Sequence, residues 1–222
     1  MLTKKEEKSE NRLSPRELLQ LIRLPNLIII FLTQYFTAIF LVGMDDPFRL
    51  YLLDPNLFLL SASTVLIAAG GYIINDYYDI KIDYINRPDK VVVGKLIKRR
   101  IALTTHIVFS FFGVLIGFFI YLIIGGINLI AAFLLWFYSN QLKRLPFIGN
   151  ITIAFLTALG LLVVVILYPK NQLIVIIYAM FAFFINLIRE IIKDIEDWKG
   201  DQAFGCKTLP VVLGIRKTKR IV

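Results

Sequence analysis

The sequence predicts an all-α protein, a multi-pass bundle of transmembrane helices. Of the 222 residues, 58% are hydrophobic, whereas soluble globular domains contain about 45–50%. Six separate apolar stretches reach or approach the roughly 20 residues that a helix needs to cross a bilayer. Lysine and arginine are concentrated between alternate stretches, which is the distribution expected of membrane loops on one side.

The six predicted spans, in chain order, cover residues 25–43, 57–75, 102–124, 127–139, 148–168 and 172–190. The fourth span is short, and we interpret the pair Gly125-Gly126 before it as a tight turn. Gly113 and Gly117 in the third span have the four-residue spacing that lets two helices approach closely. Residues 1–24 are predicted to form a cytoplasmic tail with an interfacial helix, and residues 25–222 a single transmembrane domain.

The distribution of basic residues predicts the orientation. With the N-terminus inside, 23 of the 25 lysine and arginine residues lie on the cytoplasmic side, and only Arg49 and Lys170 lie outside. Positive residues mark the cytoplasmic face, so we predict a cell-membrane protein whose N-terminus and acidic loops are cytoplasmic. This topology accounts for the net charge of +9, and nucleic acid is not a predicted partner.

Two aspartate clusters follow spans that run towards the cytoplasm. In each cluster the gaps are three and four residues, and the members are Asp76, Asp79 and Asp83, then Asp194, Asp197 and Asp201. On a helix this spacing places three carboxylates within about 60° of one stripe. Like charges so close destabilise a helix, and ionisable groups near a membrane interior are costly and usually functional. Each stripe therefore predicts a bound cation, in preference to solvated charges at a helix end.

The ligand chemistry favours magnesium. The chain has one histidine and one cysteine, and we interpret Cys206, which has no patterned partner, as incidental. Mg²⁺ usually binds one or two carboxylates together with substrate phosphate oxygens, and it neutralises charge on a leaving phosphate. All six aspartates are therefore candidate metal ligands and catalytic residues. Basic side chains predicted on the same face could bind phosphate directly: Lys81, Arg87, Lys143, Arg144, Arg189 and Lys193.

At these residues the chain resembles the UbiA superfamily of intramembrane prenyltransferases. The first family motif, NDxxDxxxD, is matched in full by Asn75-Asp76-x-x-Asp79-x-x-x-Asp83. The second, in its KDxxDxxGD context, is similar to Lys193-Asp194-x-x-Asp197-x-x-Gly200-Asp201. Tyr138 and Lys143 resemble the family's tyrosine–lysine pair, with a spacing one residue longer. GCKTLPVVLG is similar to the family's G-x-x-TLP segment, and the resemblance extends from about residue 15 to the end.

The resemblance implies a helical bundle around a cavity with a polar cap. A prenyl diphosphate would place its head among the Mg²⁺-loaded aspartates, where a further set of residues would contact the diphosphate: Asn75, Arg87, Tyr138, Lys143 and Lys193. The prenyl tail would lie among apolar side chains, and a lipophilic acceptor would attack the allylic cation. Family members usually have about nine spans, so we expect C-terminal helices to be missing from these 222 residues.

Within the family, NDYYDIKIDYINRPDK most resembles the branch that includes digeranylgeranylglyceryl phosphate synthases and chlorophyll-type synthases. This implies a geranylgeranyl donor and geranylgeranylglyceryl phosphate as acceptor, with an aromatic quinone precursor as the alternative acceptor. A membrane cation transporter is the alternative from another class. It requires ionisable groups at mid-membrane depth, whereas all six aspartates are predicted at cytoplasmic helix ends. Oligomeric state stays open.

Overall fold

A computed structural model of the protein describes Leu19 and residues 21–222. The predicted tail and the first part of the predicted interfacial helix lie outside the described residues. Six of the described helices are long and apolar enough to cross a membrane, which confirms the predicted all-α, multi-pass bundle.

The helices follow one another with short connections. Their bounds are α1 (Leu24–Phe36, continued by π-helical Thr37–Val42), α2 (Arg49–Leu52), α3 (Pro55–Asn86), α4 (Arg99–Ile120), α5 (Leu122–Asn140), α6 (Ile148–Leu167), α7 (Gln172–Ala203), α8 (Leu209–Leu213) and α9 (Ile215–Thr218). Single 3₁₀ turns follow α3 and α5, at Pro88–Lys90 and Leu142–Arg144.

Helices α3 and α7 are much longer than the apolar stretches that predicted them. Each has 32 residues, or about 48 Å at 1.5 Å per residue, against a hydrocarbon core of about 30 Å. The predicted spans ended at residues 75 and 190 because hydropathy falls there, but the helices continue through the aspartate clusters. Helix α3 ends at Asn86 because Pro88 disfavours helical backbone at the residue before it. Each acidic stripe is therefore held rigidly on the helix that leaves the membrane.

The turn between the third and fourth spans lies at Tyr121, so our interpretation of Gly125-Gly126 as the turn is wrong. Tyr121 is extended, with φ −153° and ψ 146°, and both glycines lie inside α5. A side chain at Gly125 would overlap Phe118, and one at Gly117 would come within 3.1 Å of the Gly125 Cα atom. These glycines let the two helices pack closely beside the turn.

Close packing and buried polar contacts hold α3, α4 and α5 together. A Cβ atom at Gly113 of α4 would lie 2.9 Å from the backbone oxygen of Ser63 in α3, which agrees with the predicted helix contact. Asn128 of α5 donates from Nδ2 to the Ser63 hydroxyl and to the Gly113 carbonyl, each at 3.1 Å. Small residues and such interhelical hydrogen bonds are what drive helix association in lipid.

Candidate active site

One cavity of about 430 Å³ lies where the ends of α3 and α7 meet. Its lining includes all six aspartates and all five residues that the family resemblance implied for diphosphate contact: Asn75, Asp76, Asp79, Asp83, Arg87, Tyr138, Lys143, Lys193, Asp194, Asp197 and Asp201. The two aspartate stripes therefore lie at the same end of the bundle and face a common space. Their roles in binding and catalysis stay a prediction.

The aspartates of α3 are paired with cations from other elements. Arg23, just before α1, donates from Nη2 to Asp76 Oδ1 at 2.6 Å, and its guanidinium lies 5.0 Å from the centre of the Tyr72 ring. Lys143, in the turn after α5, donates from Nζ to Asp79 Oδ1 at 2.5 Å. Asn75 donates to the other oxygen of Asp79 at 2.8 Å. Two of the three negative charges on this stripe are thus balanced.

The aspartates of α7 have mainly neutral partners. Asn150 of α6 donates from Nδ2 to Asp194 at 2.8 Å, and the Thr208 hydroxyl donates to Asp201 at 3.0 Å. Among the described ion pairs, Asp197 is the one aspartate of α7 that meets a cation, the guanidinium of Arg87 at 3.1 Å. This stripe therefore keeps more of its negative charge uncompensated than the α3 stripe does.

Lys143 is buried in the cavity wall by the packing of the turn that follows α5. Its side chain is 11% exposed, and a Cβ atom at Gly149 would lie 2.9 Å from the Lys143 Cα atom. Glycine at position 149 thus allows the start of α6 to pack against the turn that carries the lysine. Burial lowers the pKa of the Lys143 ammonium below its usual value, while the neighbouring carboxylate of Asp79 opposes that shift.

The donor set fits magnesium held jointly with a diphosphate. Within the described part of the chain, no group of three Asp, Glu, His or Cys side chains is close enough to hold a metal ion by itself. Mg²⁺ sites at phosphate-binding enzymes commonly use one or two carboxylates and complete the shell with substrate oxygens and water. Six carboxylates around one cavity, with Arg87, Lys143 and Lys193 beside them, provide the oxygen donors and the phosphate contacts that such a shared site needs.

Three of the basic residues predicted to contact phosphate lie outside the cavity lining: Lys81, Arg144 and Arg189. Arg189 is 63% exposed and pairs with Glu190 at 2.9 Å. Helix geometry explains the error for Lys81, which is about 200° around α3 from Asp79. Arg189 lies one helical turn before Lys193, and its guanidinium contacts Glu190 instead of the cavity. Lying on one side of the membrane does not make residues face one cavity.

The sequence analysis missed six residues that line the cavity or bond to its carboxylates: Arg23, Ile82, Val92, Asn150, Cys206 and Thr208. Cys206 was interpreted as incidental, yet it lines the cavity and is buried. Burial raises the pKa of its thiol, so it stays protonated and is a weak nucleophile. Thr208 belongs to the GCKTLPVVLG segment that resembles the family's G-x-x-TLP segment, which is a signal that could have identified it. Asn150 is a single amide at a helix start and has no such signal.

The sequence matches the UbiA prenyltransferase family over residues 28–222. The chain belongs to this family. Among curated relatives, digeranylgeranylglyceryl phosphate synthase of Saccharolobus solfataricus is 40% identical over 166 residues, which cover 73% of this chain and 59% of the relative. The enzyme of the same name from Thermococcus gammatolerans is 42% identical over 149 residues, or 67% of this chain and 54% of the relative. The chain thus spans little more than half the length of these curated relatives.

Solved UbiA-type structures have the same fold. A structure reported for digeranylgeranylglyceryl phosphate synthase in membranes superposes with a TM-score of 0.73 at 27% identity, covering 93% of this chain and 71% of the other. A UbiA homolog from Archaeoglobus fulgidus, bound to DMAPP and Mg²⁺, gives a TM-score of 0.65 at 19% identity, covering 92% and 72%. Together with the six apolar helices, these relatives identify a multi-pass membrane protein of the UbiA fold.

Proposed function

We propose that the protein transfers a prenyl group from a prenyl diphosphate to a lipophilic acceptor in a Mg²⁺-dependent reaction. The donor is a geranylgeranyl diphosphate and the acceptor is geranylgeranylglyceryl phosphate. The observation that carries the proposal is the single cavity shared by both aspartate stripes and their neighbouring cations. The acceptor and the geranylgeranyl chain are supported by relatives named digeranylgeranylglyceryl phosphate synthase. A prenyl diphosphate donor and the metal are supported by the homolog that binds DMAPP and Mg²⁺.

The chain's own residues bind the diphosphate head. Arg87, Lys143 and Lys193 donate charge-assisted hydrogen bonds to its oxygens, and Asn75 and Tyr138 provide neutral contacts from the same wall. Together with the diphosphate oxygens, the six aspartates would hold Mg²⁺: Asp76, Asp79, Asp83, Asp194, Asp197 and Asp201. When bound, Mg²⁺ supplies positive charge that stabilises the departing diphosphate.

Transfer exchanges one carbon–oxygen bond for another. The bond from the allylic carbon to the diphosphate breaks and its electron pair leaves with the diphosphate. The acceptor hydroxyl oxygen then bonds to that carbon and loses its proton. Ile82 and Val92 form apolar parts of the cavity wall, and such walls keep water from the cation. The ring of Tyr138 lines the same cavity, where its π face stabilises positive charge.

The cavity opens towards the cytoplasm in the proposed topology, with the N-terminus on the same side. With this orientation, 23 of the 25 lysine and arginine residues lie on the inner face, where positive residues are expected. Both substrates then enter from the inner leaflet, where a phosphorylated lipid keeps its head at the surface and its chains in the bilayer.

The test is an acceptor screen with membranes that contain the chain, labelled geranylgeranyl diphosphate and Mg²⁺. We expect a labelled product with geranylgeranylglyceryl phosphate and none with aromatic quinone precursors. Chelation of Mg²⁺ should abolish the product and added Mg²⁺ should restore it. Transfer to the aromatic acceptor alone would replace the proposed acceptor. Cation flux across vesicles without prenyl diphosphate, and no transfer to any acceptor, would reject the enzyme in favour of the transporter.

A further inference from the structure

An asparagine side chain joins the main chains of the two acidic helices where α3 ends. Asn86, the last residue of α3, donates from Nδ2 to the backbone oxygen of Asp197 at 3.0 Å. Its Oδ1 atom accepts from the backbone N–H of Gly200 at 2.9 Å. The amide is thus bonded in both directions to the main chain of one turn of α7. Because each partner is backbone, the contact fixes the position of the helix rather than that of a flexible side chain.

Gly200 is the residue that makes this contact possible. A Cβ atom there would lie 2.8 Å from Cγ and from Oδ1 of Asn86, closer than real Cβ atoms come to their neighbours. Gly200 lies within α7, where glycine is an unfavourable choice. Its presence is explained by the approach of the Asn86 amide, since any larger residue would push that amide off the α7 backbone.

The contact lies between the two stripes. Arg87, directly after Asn86, reaches Glu196 and Asp197, each at 3.1 Å, and Gly200 directly precedes Asp201. Asn86 and Gly200 lie outside the cavity lining, whereas Arg87, Asp197 and Asp201 are part of it. The pair therefore acts on the site only through the residues that it positions.

We propose that Asn86 and Gly200 form a positioning clamp that sets the separation of the two aspartate stripes and thereby the affinity for a Mg²⁺–diphosphate head group. The identity of the ligand rests on the proposed function, whereas the contact between Asn86 and Gly200 does not depend on it. When the clamp is lost, the carboxylates of the two helices are no longer held at the distance at which they bind one ligand. The affinity for the diphosphate then falls, and this loss can be measured without prenyl transfer.

Calorimetry with Mg²⁺ and inorganic diphosphate, on the full chain in lipid nanodiscs, tests the clamp without prenyl transfer. Asn86→Ala removes both hydrogen bonds, and we expect the dissociation constant to rise roughly tenfold. Gly200→Ala displaces the same amide and should have a similar effect. Gly126→Ala is the matched control, because a Cβ atom at this helical glycine meets nothing within 4 Å, and its binding should equal that of the unmodified chain. In transfer assays, the donor KM should rise while the acceptor KM stays constant.

The double variant decides the matter. Both single variants are expected to lose the same contact between Asn86 and the α7 backbone. The double variant, Asn86→Ala with Gly200→Ala, should therefore bind no worse than Asn86→Ala alone, since the effects of two coupled residues do not add. Effects that multiply to roughly a hundredfold, or normal binding by Asn86→Ala, would overturn the clamp. If Gly200→Ala does not fold, Asn86→Ala should rescue it, and failure of that rescue also overturns the clamp. If the unmodified chain binds no diphosphate, the proposed function is overturned. The clamp would still be supported if the double variant lowers the unfolding temperature by no more than the Asn86→Ala variant does.

Discussion

The aspartate stripes of α3 and α7 have the same spacing but different partners. On α3, Asp76 and Asp79 are paired with Arg23 and Lys143, so this stripe brings cations to the cavity. On α7, Asp194 and Asp201 accept hydrogen bonds from neutral groups, so fewer carboxylates of this stripe are paired with a cation. Two aspartate stripes with the same spacing can therefore have different electrostatic surroundings and different roles in binding. We expect α7 to contribute more to metal affinity and α3 to combine metal contacts with phosphate contacts.

The largest expected effect comes from removing one carboxylate of either stripe. Asp194→Ala and Asp76→Ala should each slow prenyl transfer by roughly 10²–10³-fold or more, because preorganised charge at the leaving group is lost. The two should differ in their response to magnesium. Excess Mg²⁺ should partly restore Asp194→Ala, in which metal affinity has fallen, but not Asp76→Ala, which also leaves Arg23 without its carboxylate. Initial rates over a Mg²⁺ titration measure both, and insertion into membranes is the control. Equal rescue of the two variants would remove the proposed difference.

The next largest effect is expected from removing Lys143, the ammonium partner of Asp79 in the α3 stripe. Lys143→Met leaves Asp79, whose side chain is 15% exposed, without its ammonium partner. Breaking a buried ion pair by removing one member costs about 3–5 kcal/mol, so the unfolding temperature should fall clearly and donor binding should weaken. Arg144→Met is the matched control, because this neighbouring cation is exposed and lies outside the cavity lining. A similar loss in both variants would mean that the turn as a whole, and not the Lys143–Asp79 pair, sustains stability.

A smaller effect is expected from the neutral donors of the α7 stripe. Asn150→Ala and Thr208→Ala keep every carboxylate but remove the hydrogen bonds that orient Asp194 and Asp201. Loss of an orienting partner typically lowers metal affinity by about 10–100-fold, so the Mg²⁺ concentration for half-maximal rate should rise while the rate at saturating Mg²⁺ changes little. Rates at low and high Mg²⁺ distinguish this from damage to the fold. A reduced rate at all Mg²⁺ concentrations would contradict the assignment of these residues as orienting groups.

The sequence predicted those features that depend on local pattern. Hydropathy located six spans, and helical periodicity placed each set of three aspartates on one stripe, because both signals repeat along a single helix. The charge partners of the stripes carry no such signal. Arg23 lies 53 residues before Asp76, and Lys143 lies 64 residues after Asp79, so only the packed bundle brings them together. Lys143 was identified through its family resemblance, whereas Asn150 had no pattern that could be recognised.

The errors have the same origin. Arg189 was predicted at the site because it lies on the same side of the membrane as the aspartates, but its side chain is exposed, pairs with Glu190 and lies outside the cavity lining. Gly125 was interpreted as part of a turn because glycine is common in turns, but it serves packing against Phe118. Residue type and membrane side limit where a side chain can be, and tertiary contacts decide what it does there.

The smallest expected effect concerns an ion pair of the same type at the opposite end of the bundle. Lys170 donates to Asp46 at 2.8 Å, in a loop that faces away from the cavity. Its side chain is 61% exposed, so water and salt already solvate both charges, and exposed pairs contribute little to stability. Lys170→Ala should therefore leave the unfolding temperature, the Mg²⁺ requirement and the transfer rate unchanged within error. Since it removes a lysine from a lysine–aspartate pair just as Lys143→Met does, a measurable loss of transfer would show that burial in the cavity is not what gives the Lys143–Asp79 pair its importance.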